Sequence, residues 1–451
     1  MSPPLPHPLA DERVARRDDP PGTLALPDPA LVLLVGASGA GKSAFARAHF
    51  APTEVVSSDA CRALVADDAN DQGATAAAFE LLHLVVDKRL ARNRFTVVDA
   101  TNVQAEARAP LLALAAAHQV ATAAIVLDVG EALCTARDRA RDERTVGEAV
   151  IRRQHARLRR SLDCLAAEGV RTVHVLADDA AVQGARVVRR PLASDRTALA
   201  GPFDIVGDVH GCGDEFEALL ARLGWRRDAG AAWTHPHGRT LVLVGDLVDR
   251  GPRTPDVLRS AMAMHAAGTA LVVPGNHDDK LRRHLAGRRV QVTHGLEASL
   301  AQLARETPAF RAAVHDFVDA LPTHLRLAGD ALLVAHAGLP LALHGRSGAR
   351  VRDFVLYGQT TGELDEHGLP VRLDWAADYH GAALVVYGHT PVAAPRRVHA
   401  TVNIDTGCVF GGALSALRWP EGEVVQVPAA REYVPSRRPF LARHGVAGAP
   451  A

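Results

Sequence analysis

One eight-residue stretch decides the fold of the first half of the chain: Gly36-Ala37-Ser38-Gly39-Ala40-Gly41-Lys42-Ser43. It fills the pattern G-x-x-x-x-G-K-S/T, follows the apolar run Leu31–Val35 and precedes a segment with helical spacing. In that context backbone amides surround the phosphates of a nucleotide, the lysine contacts the β- and γ-phosphates, and the serine binds Mg²⁺. We therefore predict that ATP and Mg²⁺ bind at a phosphate loop formed by Gly36, Ser38, Gly39, Ala40, Gly41, Lys42 and Ser43.

Short apolar runs alternate with segments of helical spacing from Leu24 to about Val175. The runs have the length and composition of buried parallel strands, and the segments between them are long enough for crossover helices. This pattern predicts an α/β fold in which helices flank a parallel sheet, and a second strand-rich α/β region begins at Phe203. The predicted organisation is a flexible tail at 1–22, a P-loop domain at 23–188, a linker at 189–202, a second domain at 203–435 and a tail at 436–451.

Composition limits the class of protein. Of 451 residues, 48% are apolar and 23% are charged, which excludes a wholly disordered chain. The 51 basic residues balance the 51 acidic ones, so any nucleic-acid site must be a local patch. No apolar run is long enough for a membrane helix, and the first residues lack a secretory signal. Five scattered cysteines without a CxxC pair indicate neither a zinc ribbon nor a disulfide framework, so we expect a cytoplasmic location.

Several charged residues after the phosphate loop could act on the transferred phosphoryl group. Asp59 follows an apolar pair and is predicted at the carboxyl edge of a second strand, where it could accept the proton of an attacking hydroxyl. Arg62 could hold an anionic group of the acceptor, and Asp99 is a weaker candidate for an outer contact to Mg²⁺. Arg137 and Arg141 share one helical face and could stabilise charge on the phosphoryl group. The alternatives are helix caps for the acids and a solvated basic helix for the arginines.

Five separated motifs in the second half each follow an apolar run: GDVHG at 207–211, GDLVDRG at 245–251, GNHD at 275–278, AHA at 335–337 and GHT at 388–390. Their carboxylate, imidazole and amide groups suit Mn²⁺, Fe or Zn²⁺. Two ions about 4 Å apart can bind the oxygens of a phosphate ester and generate hydroxide. We predict a two-ion site with the ligands Asp208, His210, Asp246, Asn276, His336 and His389, in which Asp246 bridges the ions.

Other residues of these motifs have predicted roles in ester cleavage. His277 is the candidate acid for the leaving alkoxide and Asp249 is the candidate for orienting it. Arg250 suits bidentate contact with the phosphate. Asp405, in NIDTG at 403–407, is a candidate for an outer position around the metal ions.

The motifs GDVHG, GDLVDRG, GNHD and NIDTGCVFGG resemble the metallophosphoesterase superfamily, in particular the branch of serine/threonine protein phosphatases and diadenosine tetraphosphate hydrolases. GASGAGKS, SSDACR and the later arginines resemble a polynucleotide 5′-kinase. Together, in this order, they resemble the bacterial polynucleotide kinase-phosphatase family of RNA repair. The resemblance implies a P-loop kinase domain followed by an α/β metallophosphoesterase sandwich domain.

The resemblance also implies a function. It assigns ATP and Mg²⁺ to Lys42 and Ser43, activation of a polynucleotide 5′-OH to Asp59, an acceptor phosphate to Arg62, and Mn²⁺ or another divalent cation such as Ni²⁺ to the second site. The implied substrate is a polynucleotide, RNA rather than DNA, with 5′-OH and 2′,3′-cyclic or 3′-phosphate ends. A K-x-D-G adenylation motif is missing from the sequence, so a separate ligase is expected unless the chain is a fragment. The sequence leaves the oligomeric state open, a homodimer included.

Two alternatives compete with the end-healing interpretation. A protein phosphatase or dinucleotide polyphosphate hydrolase fused to a P-loop small-molecule kinase would share the metal site and differ in substrate. A nucleotide-gated binding module would use the loop to sense ATP, but it would need neither an acid-base residue nor paired arginines.

Overall fold

The computed structural model describes residues 19–140, 146–227 and 232–438. They divide into two units. The first contains the chain up to Ala193 together with residues 345–349, and the second contains 194–344 and the chain from Arg350 onwards. Within the described ranges, no helix has both the length and the apolar character that a membrane crossing needs.

The first unit alternates strands with helices along the chain. Its elements are β1 (Thr23–Asp28), β2 (Ala30–Val35), α1 (Lys42–His49), β3 (Val55–Ser57), α2 (Ser58–Ala66), α3 (Thr75–Ala91), β4 (Thr96–Asp99), α4 (Ala105–Ala117), β5 (Ala121–Leu127), α5 (Glu131–Arg139), α6 (Glu148–Ser161), α7 (Leu165–Glu168), β6 (Thr172–Leu176), α8 (Asp179–Gly184) and β7 (Arg186–Pro191).

A five-stranded parallel sheet with the order β3-β4-β2-β5-β6 forms the centre of this unit. Every residue of β2 is buried, because successive side chains point to opposite faces and both faces are covered. Leu31 and Leu33 pack in one core with Leu82 of α3, while Val32 and Leu34 pack in the other core with α1. The predicted α/β fold with helices on both sides of a parallel sheet is confirmed.

The structure also informs the predicted boundaries of this unit. Of the predicted tail at 1–22, residues 1–18 lie outside the described residues. Strand β7 pairs with β1 in a separate two-stranded parallel sheet and extends to Pro191, which is inside the predicted linker at 189–202. The division between the two units falls between Ala193 and Ser194, also inside that segment.

The first strand of the second unit is β8. Its elements are β8 (Phe203–Val206), α9 (Gly213–Leu223), β9 (Arg226–Arg227), β10 (Trp233–Thr234), β11 (Thr240–Leu243), α10 (Thr254–Ala266), β12 (Ala270–Val272), α11 (Asn276–Leu285), α12 (Leu296–Leu303), α13 (Pro308–Ala320), β13 (Leu325–Leu327), β14 (Leu332–Val334), α14 (Ala349–Tyr357), β15 (Thr360–Leu364), β16 (Pro370–Arg372), β17 (Leu384–Tyr387), β18 (Arg396–Val398), β19 (Thr401–Asn403), β20 (Ala413–Trp419) and β21 (Val424–Pro428).

Two five-stranded sheets, with the orders β12-β11-β8-β20-β21 and β13-β14-β17-β19-β18, pack face to face in this unit. Ile205 and Val242 of the first sheet share a buried core with Val334 and Val386 of the second. Helix α9 covers the outer face of the first sheet, and α14 covers that of the second. The predicted α/β sandwich is therefore confirmed, with helices on both outer faces.

The topology places the ends of several strands at one edge of each sheet. Strands β8, β11 and β12 are parallel, as are β14, β17 and β19. Each of the motifs GDVHG, GDLVDRG, GNHD, AHA and GHT follows the carboxyl end of one of these strands. Five residues of these loops have positive φ without being glycine, and such backbone strain concentrates at functional sites; they are His210, Asp246, Asp249, Arg250 and His389.

Candidate metal centre and phosphate-binding loop

The phosphate loop connects β2 to α1 in the first unit. Gly39 and Gly41 have φ values of 82° and 97°, which favour glycine. A Cβ atom at Gly39 would lie 2.2 Å from the Cys134 carbonyl oxygen, so a side chain does not fit there. The Lys42 ammonium donates to the carbonyl oxygens of Gly36 and Ala37, at 2.8 Å each. The seven predicted residues therefore lie on a loop, 36–41, and on the first two residues of α1, Lys42 and Ser43.

Two further polar side chains lie at this loop. The Arg137 guanidinium is 3.7 Å from the position of a Cβ atom at Gly41, and it pairs with Asp179 at 2.7 Å. The Ser38 amide donates to the Gln154 Oε1 atom of α6 at 2.7 Å. The sequence analysis missed Gln154, because a glutamine in an arginine-rich helix carries no motif. The predicted Arg141 lies outside the described residues.

The predicted acceptor residues lie at the same edge of the parallel sheet as the loop. Strand β3 ends at Ser57, whose hydroxyl accepts from the Ala60 amide, so Asp59 lies in the first turn of α2 rather than at the end of a strand. The buried Arg62 guanidinium donates to Asp59 Oδ1 at 2.6 Å and to the Ala69 carbonyl. Arg62 therefore positions Asp59 in this structure, and its predicted contact with an acceptor phosphate stays a prediction.

Asp99 is the last residue of β4 and is buried. It is the register partner of Leu34 in β2 and of Ser57 in β3. Strand β4 lies between β2, which leads into the phosphate loop, and β3, which precedes Asp59. The position of Asp99 is therefore compatible with the predicted outer contact to Mg²⁺.

The second unit brings the predicted metal ligands together. Donor atoms of His210, Asp246 and His277 form one buried group within 4.8 Å, and those of Asp246, His336 and His389 form another. Asp246 Oδ2 lies 3.4 Å from His210 Nε2 and 3.5 Å from His336 Nε2. The carboxylate of Asp246 is thus shared by both groups, as a bridging ligand would be.

The other two predicted ligands lie at the second group. The Asn276 Oδ1 atom is 3.0 Å from His336 Nε2, and the His389 amide donates to Asp208 Oδ2 at 3.1 Å. The Asp208 carboxylate can lie this close to the His389 backbone because residue 388 is a glycine. A Cβ atom at Gly388 would be 2.0 Å from Asp208 Oδ1. All six predicted ligands therefore converge, although they come from five separated loops.

The carboxylates at this centre are buried near one another. Burial raises the pKa of Asp208 well above its usual range, and the neighbouring Asp405 adds to the shift. Burial also raises the pKa of Asp246 and of Asp405 to about 7 each. Ionised carboxylates so close together and out of water need a compensating positive charge.

The pKa values of the histidines at this centre shift in the opposite direction, downward. Burial lowers the pKa of His336 to about 3, and it lowers the pKa of His210 and His389 well below the usual value. Neutral imidazoles are the form that binds metals. The buried Nε2 atom of His389 has no hydrogen-bond partner within the described residues. Oxygen and nitrogen donors with a free, buried ring nitrogen fit a pair of divalent cations.

The predicted catalytic residues surround this centre. His277 Nδ1 lies 2.6 Å from Asp249 Oδ2, and the Arg250 guanidinium lies 3.0 Å from His277 Nε2 and 2.6 Å from His210 Nε2. Burial raises the pKa of Asp249 to about 6. His277 can thus be oriented by Asp249, with its Nε2 atom directed toward Arg250 and the metal ligands.

Three of the six predicted ligands, Asp246, Asn276 and His389, line a cavity of about 980 Å³. Arg372, from the β15–β16 hairpin, lies in its wall and donates to the Tyr357 carbonyl oxygen. The sequence analysis missed this arginine and the other basic residues of the wall, since their positions follow no motif. Besides Arg250, the basic residues that line the cavity are Lys280, Arg283, Arg289, Arg372, Arg437 and Arg438.

Comparisons with known proteins match the two units separately. The family described as an AAA domain matches residues 31–165, and the family described as calcineurin-like phosphoesterase matches residues 201–393. The bis(5′-nucleosyl)-tetraphosphatase PrpE (asymmetrical) of Halalkalibacterium halodurans is 49% identical over 236 residues, which cover 51% of this chain and 96% of the relative. The protein of the same name from Bacillus subtilis is 46% identical over 239 residues, with 52% and 98% covered.

A solved structure of a candidate diadenosine tetraphosphatase is 31% identical in sequence to this chain. The match covers 52% of this chain and 96% of the solved chain, with a TM-score of 0.40. The two curated relatives are named for tetraphosphatase activity, not for polynucleotide repair. Their names agree better with the alternative of a dinucleotide polyphosphate hydrolase than with the end-healing interpretation.

Proposed function

The chain belongs to the calcineurin-like phosphoesterase family through its second unit, and we propose that this unit hydrolyses dinucleoside tetraphosphates while the first transfers the terminal phosphoryl group of ATP to a hydroxyl acceptor. One observation carries the proposal for the second unit: the Asp246 carboxylate belongs to both groups of metal-binding side chains. Two divalent cations held there would polarise the phosphate oxygens and supply a nucleophilic hydroxide.

The side chains around the ligands can perform the rest of the reaction. Arg250 can contact the scissile phosphate through two parallel N–H groups. His277 can donate a proton from Nε2 to the leaving oxygen when its ring is protonated, and the Asp249 carboxylate at Nδ1 would stabilise that imidazolium. The basic cavity wall can neutralise the remaining phosphates of a polyphosphate chain, which carries more charge than a single ester.

The residues of the first unit support phosphoryl transfer. Lys42 and Ser43 lie where they can bind the ATP phosphates and Mg²⁺, and Arg137 lies beside the loop. Asp59, held by Arg62, is more than half exposed at the same sheet edge and is available to an acceptor hydroxyl.

The test is hydrolysis of diadenosine tetraphosphate with Mn²⁺, followed by chromatography of the products. We expect ATP and AMP from the full chain and no products from the Asp246→Asn variant. A phosphoserine peptide serves as the competing substrate. Faster hydrolysis of the peptide than of the dinucleotide would contradict the proposed substrate while leaving the two-ion site intact.

A second function, the healing of RNA ends, is favoured by the presence of both a phosphate loop with a nearby acid and a phosphoesterase centre in one chain. A strand with 5′-OH and 2′,3′-cyclic phosphate ends would be incubated with ATP and Mn²⁺, and both ends would be analysed. End healing predicts that Asp59→Asn blocks only 5′ phosphorylation and Asp246→Asn blocks only 3′ dephosphorylation. If both ends of the strand stay unmodified under conditions in which the dinucleotide is hydrolysed, end healing is excluded. A DNA strand of the same sequence tests the preference for RNA.

A further inference from the structure

Three buried side chains outside the two-ion centre form a separate group of metal-binding type. The Cys212 and Cys408 thiols and the Glu215 carboxylate have donor atoms within 4.8 Å of one another. Glu215 is only 3% exposed, and the cysteines are equally buried. The sequence gives no CxxC spacing for such a site, because Cys408 is 196 residues after Cys212 and only the fold brings them together.

The local backbone favours negative charge at this group. Cys212 is the N-cap of α9, and Glu215 lies in its first turn. The amides at a helix N-terminus stabilise negative charge beside them, such as that of side chains bound to a cation. Cys212 and Glu215, three residues apart at a helix start, can direct their donor atoms to one point.

The Glu215 carboxylate is only partly satisfied. Its Oε1 atom accepts from the Ala430 amide at 2.9 Å and from the Tyr433 hydroxyl at 2.8 Å. Its Oε2 atom is buried and has no hydrogen-bond partner in the part of the chain that the structure describes. An unsatisfied buried carboxylate oxygen is costly, and a bound cation would remove that cost.

We propose that Cys212, Glu215 and Cys408 bind a thiophilic divalent cation, of which Zn²⁺ is the first candidate. Zinc bond lengths of about 2.3 Å to sulfur and about 2.0–2.2 Å to oxygen place tetrahedral donor atoms roughly 3.5–3.8 Å apart. The three donor atoms, which lie within 4.8 Å of one another, would therefore have to move slightly closer together. Binding forms two metal–sulfur bonds and one metal–oxygen bond, and the two thiol protons are released to solvent.

The position of this site gives it a structural role. Cys212 follows His210 by two residues, and Cys408 follows Asp405 by three. A cation shared by both cysteines would fix the loop that carries the ligand His210 to the loop that carries Asp405. This inference does not depend on the substrate of the phosphoesterase.

The test uses the full chain loaded with Co²⁺, because cobalt bound by thiolates has a charge-transfer absorption in the near ultraviolet that oxygen and nitrogen ligands do not give. We expect this band in the wild-type chain and in Asp246→Asn, which alters only the two-ion centre. We expect its loss in Cys212→Ser and Cys408→Ser. The exposed Cys164 provides the matched control, and Cys164→Ser should keep the band.

Metal analysis of the zinc-loaded chain gives an independent readout. Cys212→Ser should bind one cation fewer than the wild type, and circular dichroism establishes whether it is folded. If Cys212→Ser is unfolded, Glu215→Gln replaces it and should weaken zinc retention during dialysis against a chelator. A wild-type chain without the thiolate band, or one whose intact mass shows a disulfide between these cysteines under reducing preparation, would overturn the proposal.

Discussion

The phosphate loop and the two-ion centre are both proposed to bind phosphate, and they have opposite architectures. The loop takes its donors from eight consecutive residues, largely from the backbone. The two-ion centre takes side chains from five separated loops and buries them together. Local backbone conformation therefore makes the first site, whereas the packing of two sheets makes the second. Substitutions should affect the two sites in correspondingly different ways.

The largest effect is expected from Asp246→Asn. The amide keeps the shape but loses the negative charge shared by both groups of ligands, so hydrolysis should fall by about 10³-fold, roughly 4 kcal/mol. Initial rates with Mn²⁺ measure the effect. Lys42→Ala is the matched control in the other unit and should leave hydrolysis unchanged. A loss of less than about tenfold in Asp246→Asn would show that the shared carboxylate is dispensable.

Gly39→Ala tests whether the loop depends on its backbone. The new Cβ atom would meet the Cys134 carbonyl oxygen at 2.2 Å and would strain a positive φ angle. Strain of roughly 1–3 kcal/mol should weaken ATP binding by about 5- to 150-fold in calorimetry. At Gly130 a Cβ atom meets nothing within 4 Å, so Gly130→Ala should bind ATP normally. Equal affinity of both variants would refute a backbone-built site.

Arg372→Ala tests a residue that only the fold places at the two-ion centre. Loss of one charged contact to phosphate should raise KM for the dinucleotide by about tenfold and reduce kcat less. Because the contact is between charges, the wild type should lose more affinity than the variant as salt increases. Arg305, an exposed arginine outside the cavity wall, provides the control. An unchanged KM in Arg372→Ala would remove this arginine from the substrate site.

The smallest effect concerns stability and involves no side chain that was assigned to either site. Glu54 accepts two hydrogen bonds from Arg189, one at 2.7 Å, and these lower the pKa of Glu54. The stabilisation is present above the unfolded-state pKa of about 4.3 and is lost as the pH falls through the lower folded-state pKa. Glu54→Gln should cost less than about 1 kcal/mol of unfolding free energy at neutral pH. Urea unfolding at pH 7 and pH 3 should show a difference between variant and wild type only at pH 7.

The residues that could be predicted from the sequence share one property: they lie within four residues of the carboxyl end of a buried strand. This holds for Asp208, Asp246, Asn276, His336 and His389. Within each sheet the parallel strands end at a common edge, and the packing of the two sheets brings the two sets of residues together. The predicted strand end at Asp59 was wrong by two residues, since Ser57 already caps a helix. The main expectation of RNA repair is less well supported than the alternative, to which the names of the relatives point.

The phosphate-loop motif, the α/β class of both units and the candidate ligands of the two-ion centre could all be predicted from the amino-acid sequence. These depend on short-range patterns, in which neighbouring residues have fixed spatial relations. The contact of Gln154 with the loop, the position of Arg372 in the cavity wall and the approach of Cys408 to Cys212 and Glu215 are visible only in the folded chain. Each brings together residues far apart in the sequence, so the packing of the elements that carry them, rather than local backbone geometry, sets the distances.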